Sequence, residues 1–262
     1  MIPGKPWLCA LAFVVAVPAM AQTAPGSLHA SVEGAVQRPG GFDLPAGARL
    51  ADAVLAAMPN RHAYPLGAAL LRRDAALEQA RTRAGLSHDL GALAALPDID
   101  PQTAALIAGL RAWLDALPAT GRVPALLEPR ALEVDPAANR PLADGDRFVY
   151  PARPGTVRVV GAVAQPCELP QVPLRDARDY LDDCAPAKAA DRDWLYAIQP
   201  DGRVQRLGIA AWNRSAPQPL APGALVYVPL AERTLREVSP AFNREMAGFL
   251  ATQHLPAAEA AP

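Results

Sequence analysis

The stretch Val157-Arg158-Val159-Val160-Gly161-Ala162-Val163, followed by Ala164-Gln165-Pro166, decides how the whole chain is read. It is a valine-rich strand running into a tight turn. The chain makes nearly the same statement earlier. Val32-Glu33-Gly34-Ala35-Val36-Gln37-Arg38-Pro39 aligns with residues 159–166 without a gap, at an offset of 127. A second echo closes each copy. Pro141-Leu142-Ala143-Asp144-Gly145 leads into Phe148-Val149-Tyr150-Pro151, and Pro219-Leu220-Ala221-Pro222-Gly223 leads into Val226-Tyr227-Val228-Pro229, at an offset of 78. Asn139-Arg140 and Asn213-Arg214 stand just upstream of the two closures. One unit is therefore used twice, and the fall in offset means that the first copy carries about fifty extra residues in its middle.

In the first copy, residues 28–36 read as a strand, Arg38-Pro39-Gly40-Gly41 as a turn and Phe42-Asp43-Leu44 as the returning strand. Residues 50–58 read as a short helix with Leu50, Val54 and Leu55 on one face. A hairpin followed by a helix is the first half of a β-grasp unit. Residues 59–121 then read as a helical insertion, expected to lie against the first unit. Within it, residues 66–84 are alanine-rich and helical, with Leu70 and Leu77 inward and Arg72, Arg73 and Glu78 outward. Ser87 is placed to cap a short helix carrying Leu90 and Leu93. Asp100-Pro101 is an N-cap followed by proline, and opens a helix with Leu106, Leu110, Trp113, Leu114 and Leu117 at helical spacing. The copy resumes with strands at 123–127 and 131–134 around a turn at Glu128-Pro129-Arg130, and closes at 147–150.

The second copy is uninterrupted. Residues 157–163 and 168–169 form its hairpin, 174–181 its helix, and 194–198 and 204–207 a pair joined by Gln199-Pro200-Asp201-Gly202. Residues 225–228 close it. Ser239-Pro240 then reads as N-cap plus proline, opening a helix whose apolar face carries Phe242, Met246, Phe249 and Leu250, with Arg244 and Glu245 opposite. The tail from His254 reads as disordered. The fold class is α+β: two tandem β-grasp units (residues 22–152 and 153–230), the first with a helical insertion, and a C-terminal amphipathic helix and tail over 231–262.

The chain has 262 residues and 51% hydrophobic content, enough to bury a core in one or two domains. Net charge is −1 and no Lys/Arg run stands out, which argues against nucleic acid as a partner. Residues 1–21 read as a secretory signal peptide: Lys5 supplies the positive region, residues 7–17 the apolar core, and Ala19-Met20-Ala21 the cleavage site. That core is too short to span a bilayer as a helix, and Cys9 lies inside it, which does not suit a lipoprotein. A soluble periplasmic protein beginning at Gln22 is expected. Cys167 and Cys184 remain in an oxidising compartment, where a disulfide is favoured over a buried thiol pair.

No nucleophile elbow, P-loop, zinc-protease or dinucleotide motif is present. His29, His62, His88 and His254 share no metal-ligand spacing, so neither a metal nor another cofactor is expected. Asp98 and Asp100 imitate a glycosidase carboxylate pair, but capping by Asp100 explains them better. Asp144 and Asp146 flank Gly145 in the closing turn, and turn chemistry accounts for both. No catalytic residue is assigned.

Taken in order, Leu117-Pro118-Ala119-Thr120-Gly121-Arg122, Gly161-Ala162-Val163 with Pro166, Ile198-Gln199-Pro200-Asp201-Gly202, Trp212-Asn213, the Pro222-Gly223…Tyr227-Val228-Pro229 closure and Phe242-Asn243 resemble the capsule-biosynthesis GfcC-like family. That family is similar to the soluble-ligand-binding β-grasp domains of outer-membrane polysaccharide exporters. The resemblance implies a non-enzymatic periplasmic accessory protein of capsule or exopolysaccharide assembly and export. Its implied partners are assembly or export proteins of the outer membrane and periplasm, with acidic polysaccharide as a further ligand. A polymer-modifying enzyme and a purely protein-binding scaffold are the alternatives.

Three sets of residues stand out as candidates. Arg122 follows the last insertion helix, at a junction where a pocket is expected; it would bind a sugar carboxylate or else hold loop carbonyls. Cys167 sits at the hairpin turn and Cys184 just past the helix, which a β-grasp unit brings to the same end of the sheet. The helix face of Phe242, Met246, Phe249 and Leu250 either packs on its own chain or docks in a groove of an export partner.

Overall fold

The computed structural model of the protein describes residues 26–257, so the expected leader and its cleavage after Ala21 lie outside the described residues. In the first unit, β1 (Ser27–Gly34) and β2 (Gly40–Pro45) form a hairpin, followed by α1 (Leu50–Ala57) and β3 (Ala69–Leu71). Helices α2 (Arg73–Ala94) and α3 (Pro101–Ala116) come next, then β4 (Arg122–Val123), α4 (Pro129–Val134) and β5 (Asp146–Tyr150). The second unit has β6 (Thr156–Gly161), β7 (Cys167–Pro170), a 3-10 turn at Ala177–Leu181, β8 (Trp194–Ile198), β9 (Val204–Gly208) and β10 (Leu225–Val228). Helices α5 (Glu232–Leu235) and α6 (Phe242–Ala251) end it. The two five-stranded mixed sheets have the same order, β2-β1-β5-β3-β4 and β7-β6-β10-β8-β9. In each, the first strand pairs antiparallel with its hairpin partner and parallel with the closing strand. The fold is α+β with two tandem β-grasp units.

The pairing locates the insertion. Bridges Val36↔Pro59, Arg49↔Pro141 and Ala63↔Ala152 in the first unit recur as Val163↔Pro186, Asp176↔Pro219 and Ala190↔Leu230 in the second. Leu71 pairs with Arg122 where Ile198 pairs with Val204. The helical insertion therefore occupies the turn between the third and fourth strands, where the second unit has Gln199 to Arg203. It starts after Leu71 and not at residue 59, and what replaces the Pro-Asp-Gly turn is the helical pair itself. Ala69-Leu70-Leu71 is a strand although its composition favours helix, because β5 and β4 flank it and leave all three residues buried. Residues 129–134 are helical where a strand was expected: the Glu128 carboxylate accepts from Ala131 N at 2.6 Å, and Pro129 takes the first helical position. In the second unit the expected helix shrinks to one 3-10 turn, since Leu174 takes φ 63° and is 85% exposed.

The repeated Gly-Ala-Val has one physical cause. Gly34 and Gly161 have φ of 96° and 101°, and a Cβ on either would lie 2.0 Å from Tyr150 O or 2.3 Å from Val228 O. The next residue uses that approach: Ala35 N donates to Tyr150 O at 2.7 Å and Ala162 N to Val228 O at 2.8 Å. The glycine lets the opening strand turn while still touching the closing strand. Gly161→Ala is therefore expected to destabilise by about 2–4 kcal/mol, against less than ~0.5 for Gly155→Ala, which meets open space. Equal denaturation midpoints for the two variants would refute this account.

The insertion does not lie against the first unit. Leu86, Leu90 and Leu93 of α2 and Ile107, Leu110 and Leu114 of α3 belong to the core of the second unit, with Val160, Tyr227 and α6. Opposed residues show how. Val160, Tyr227, Tyr196 and Arg206 are cross-strand neighbours and share one face. Tyr180 and Cys184 pack in the same core from the grasp side, with Val157 and Val159. The first unit keeps a smaller core of its own around Leu50, Val54, Leu70, Leu132, Phe148 and Tyr150. Leu77 and Leu55, expected inward, are 56% and 53% exposed. Arg72, expected outward, donates to both carboxylate oxygens of the buried Asp146 at 3.0 Å. Asp146 also accepts from Ala143 N, so it is an ion-pair anchor as well as a turn residue. Ser87 caps nothing: it lies inside the unbroken α2 and accepts from Arg111 Nε.

Cys167 and Cys184 are joined in a disulfide with Cα atoms 6.1 Å apart, beside the Val163↔Pro186 bridge. It ties the hairpin turn to the end of the 3-10 turn. A loop of this size stabilises by about 3 kcal/mol, so reduction should lower the melting temperature by roughly 5–10 °C. Labelling of two thiols in the unreduced, denatured protein would rule the bond out.

Helix α6 packs on its own chain. Phe242, Met246, Phe249 and Leu250 are each 1–2% exposed in the second unit's core, so this face is not available to a partner in this conformation. Its N-cap is Ala241 and not Ser239, and no side chain caps it. What fixes it is Asn243, whose Oδ1 accepts from Tyr227 OH and Leu230 N (3.1 Å each) while Nδ2 donates to Leu230 O at 2.7 Å. Leu255 lies against Gly67 and Gly223, one glycine from each unit.

Candidate functional site

The junction of the two units gathers most of the singled-out residues. Thr120, Gly121 and Arg122 leave the insertion there and meet the chain end and the Pro200-Asp201-Gly202 turn. Gly121, at φ 78°, passes so close to Arg72 that a Cβ would lie 2.3 Å from its carbonyl oxygen. Gln79, buried on α2, holds this backbone: Oε1 accepts from Gly121 N at 2.7 Å and Nε2 donates to Arg122 O at 2.9 Å. Sequence reasoning missed Gln79, having placed the inward face at Leu77; its spacing of seven residues from Leu86, on the face that is buried, was the signal that could have found it. Thr120 Oγ1 donates to Thr252 O at 2.7 Å, and Gln253 Nε2 to Pro118 O at 3.1 Å.

Arg122 is 7% exposed. Its guanidinium donates to Pro200 O, to Ala251 O at 3.4 Å and to Gln253 O at 3.5 Å. Burial pulls its pKa below the usual arginine value, and Asp201 opposes that. An arginine placed this way is a strut between the insertion exit, the second unit's turn and the terminal segment. Its fork is engaged by three backbone carbonyls, the arrangement that the loop-holding alternative describes.

An open cleft of about 680 Å³ lies between the units, lined by Leu66, Leu126, Arg140, Asp201 and Arg203 among others. Arg203 pairs with Asp201 at 2.9 Å, and Arg140 donates to Pro124 O. A second cleft, of about 430 Å³, separates α3 from the second unit's hairpin. Leu106, Gly109, Trp113, Val160 and Pro166 make it apolar, with Lys188 and Gln102 as polar members.

The other candidates are dispersed. Asp100 caps α3, accepting from Thr103 N at 3.1 Å and Thr103 Oγ1 at 2.7 Å, and these bonds, the hydroxyl's first, lower its pKa. His29 pairs with Asp43 on the first hairpin and His88 lies beside Asp89 on α2. Among the described residues no group of three or more His, Cys, Asp or Glu is placed to hold a metal ion. None of their helices is long and apolar enough to cross a membrane.

Comparison with known proteins meets this geometry in the second unit. Residues 165–256 match the family described as capsule biosynthesis GfcC C-terminal. The chain is also 34% identical over 159 residues to the uncharacterized protein YjbG of Escherichia coli strain K12, an alignment covering 61% of this chain and 64% of the relative, less than two thirds of its length. The match begins at the second unit's first turn and runs through the disulfide, the Pro-Asp-Gly turn, Trp212-Asn213 and α6 to the segment that Arg122 holds. Residues 165–256, and with them most of the second β-grasp unit and the terminal helix, are similar to the capsule biosynthesis GfcC C-terminal family.

Proposed function

We propose that the protein is a non-enzymatic accessory factor of capsule or exopolysaccharide assembly and export, acting in the periplasm and binding polysaccharide, the export machinery or both. The observation that carries this reading is the match of residues 165–256 to a capsule-biosynthesis family, over a unit with its own disulfide and terminal helix. A disulfide between Cys167 and Cys184 suits an exported protein, and so does the sequence of residues 1–21. The test is deletion of the gene with complementation, scoring surface polysaccharide, together with an alkaline phosphatase fusion that reports export. Loss of surface polymer, restored by the intact gene, is the expected result. Unchanged polymer overturns the reading. So does purified protein that cleaves or modifies the polymer, since the factor would then be an enzyme.

A further inference from the structure

We propose that Trp212, together with Trp194 and Arg206, forms a saccharide-binding strip on the outer edge of the second unit, accepting a polymer whose sugars carry carboxylates. This rests on the accessory reading above and gives it a site. Trp212 is 72% exposed, and the loop that carries it is stiff. Asn213 Oδ1 accepts from Ala210 N at 3.1 Å and Asn213 Nδ2 donates to Asp193 O at 2.9 Å. Ser215 N donates to Gly208 O at 3.0 Å, and Ser215 Oγ accepts from Gly208 N at 2.9 Å. The indole Nε1 donates to Asp193 Oδ1 at 3.4 Å. The indole thus stands in water on a loop whose backbone is tied by hydrogen bonds to Asp193 and Gly208.

The ring meets Trp194 at 6.3 Å and 88°, an edge-to-face contact that leaves much of Trp212 uncovered. Over Trp194 lies the Arg206 guanidinium, 3.8 Å from the ring centroid. Glu232 takes one Arg206 donor at 2.6 Å, and the guanidinium has five. Beyond Arg206 a groove of about 510 Å³ continues between β9 and α6, with Tyr196, Glu232 and Arg244 on its walls. An apolar ring face suits the C–H face of a sugar ring, and a guanidinium fork suits a carboxylate. A protein hot spot would sit in a well-packed, desolvated patch. Here the neighbours are Asp193, Arg206 and Glu232, and the exposed large apolar residue nearest in the pairing is Val204.

The repeat supplies an independent argument. In the strand register of the two units Trp194 corresponds to Gly67 and Arg206 to Pro124, and the Asn139/Asn213 echo sets Trp212 against Ala138. The first unit builds the same sheet without any of the three. The strip is therefore an addition to the β-grasp fold and not a requirement of it.

The test uses the full mature chain, with surface polysaccharide purified from the producing cells and the same polymer after carboxyl reduction. Wild-type protein should bind the native polymer, Trp212→Ala roughly tenfold more weakly, and Trp212→Phe nearly as well as wild type. Arg206→Gln should weaken binding of the native polymer and leave the reduced polymer unaffected. Melting temperatures check that each variant is folded. Native-polymer binding unchanged in Trp212→Ala overturns the strip, while surface polymer lost on gene deletion keeps the accessory reading standing. Wild-type protein that binds no polymer also overturns the strip, as does a Trp212→Ala variant that keeps polymer but loses a protein partner. Normal surface polymer after gene deletion sinks the accessory reading instead.

Discussion

Truncation after Glu237 is expected to leave a chain with no cooperative thermal transition for its second unit. The cut removes Phe242, Met246, Phe249 and Leu250, each 1–2% exposed, and opens the sheet face that carries Tyr227 and Tyr196. It also strips Tyr227 OH and the Leu230 backbone of their buried partner, Asn243. A buried Phe→Ala substitution alone costs about 3–5 kcal/mol, and a whole domain is stable by only about 5–15. Phe249→Ala gives a graded version, expected to lower the melting temperature by roughly 10 °C. Scanning calorimetry on both variants decides the matter. Should the truncated chain melt within about 2 °C of the full one, α6 is not part of the core, and its apolar face returns to the pool of partner surfaces.

Arg122→Ala is expected to cost about 3 kcal/mol. The buried guanidinium makes charge-assisted bonds to three carbonyls. The bonds to Ala251 and Gln253 are long, so the expected loss is smaller than three well-formed charge-assisted bonds would give. Arg122→Lys should recover little, because one ammonium cannot span donors aimed at Pro200, Ala251 and Gln253. A second readout separates the strut from a ligand site. Without it the terminal segment loses two of its anchors, so limited proteolysis should cut near residues 251–257 faster in Arg122→Ala than in wild type. A variant with normal stability and normal protease resistance, but defective polymer export, would restore Arg122 as a ligand residue.

These expectations differ in where their grounds lie. The repeat was legible because the glycine approach to the closing strand admits no other residue, which stamps Gly-Ala-Val at both Gly34 and Gly161. The α3 start was legible because Asp100-Pro101 is a local device whose partners are three residues away. The third strand at Ala69–Leu71 was not, since an alanine-leucine stretch has helical propensity and only its pairing with β5 and β4 overrides that. The part played by Arg122 was half legible. Its place after the insertion marked a junction, but the carbonyls that bind it come from residues 200, 251 and 253.

What the sequence by itself determined is whatever depends on near neighbours or on exact repetition: two copies of one unit, the second unit's Pro-Asp-Gly turn, the cysteine pair at one end of the sheet, and the amphipathic character of α3 and α6. Tertiary structure alone decided which surface each apolar face covers. Leu90, Leu93, Leu110 and Leu114 mark buried helix faces from their spacing, but nothing in that spacing says that an insertion from the first unit covers the sheet of the second. The physical reason is that hydrophobic burial is non-directional and proportional to area. A periodic stripe specifies that it must leave water, and only packing geometry, with buried hydrogen bonds such as Asn243 to Leu230, selects the partner.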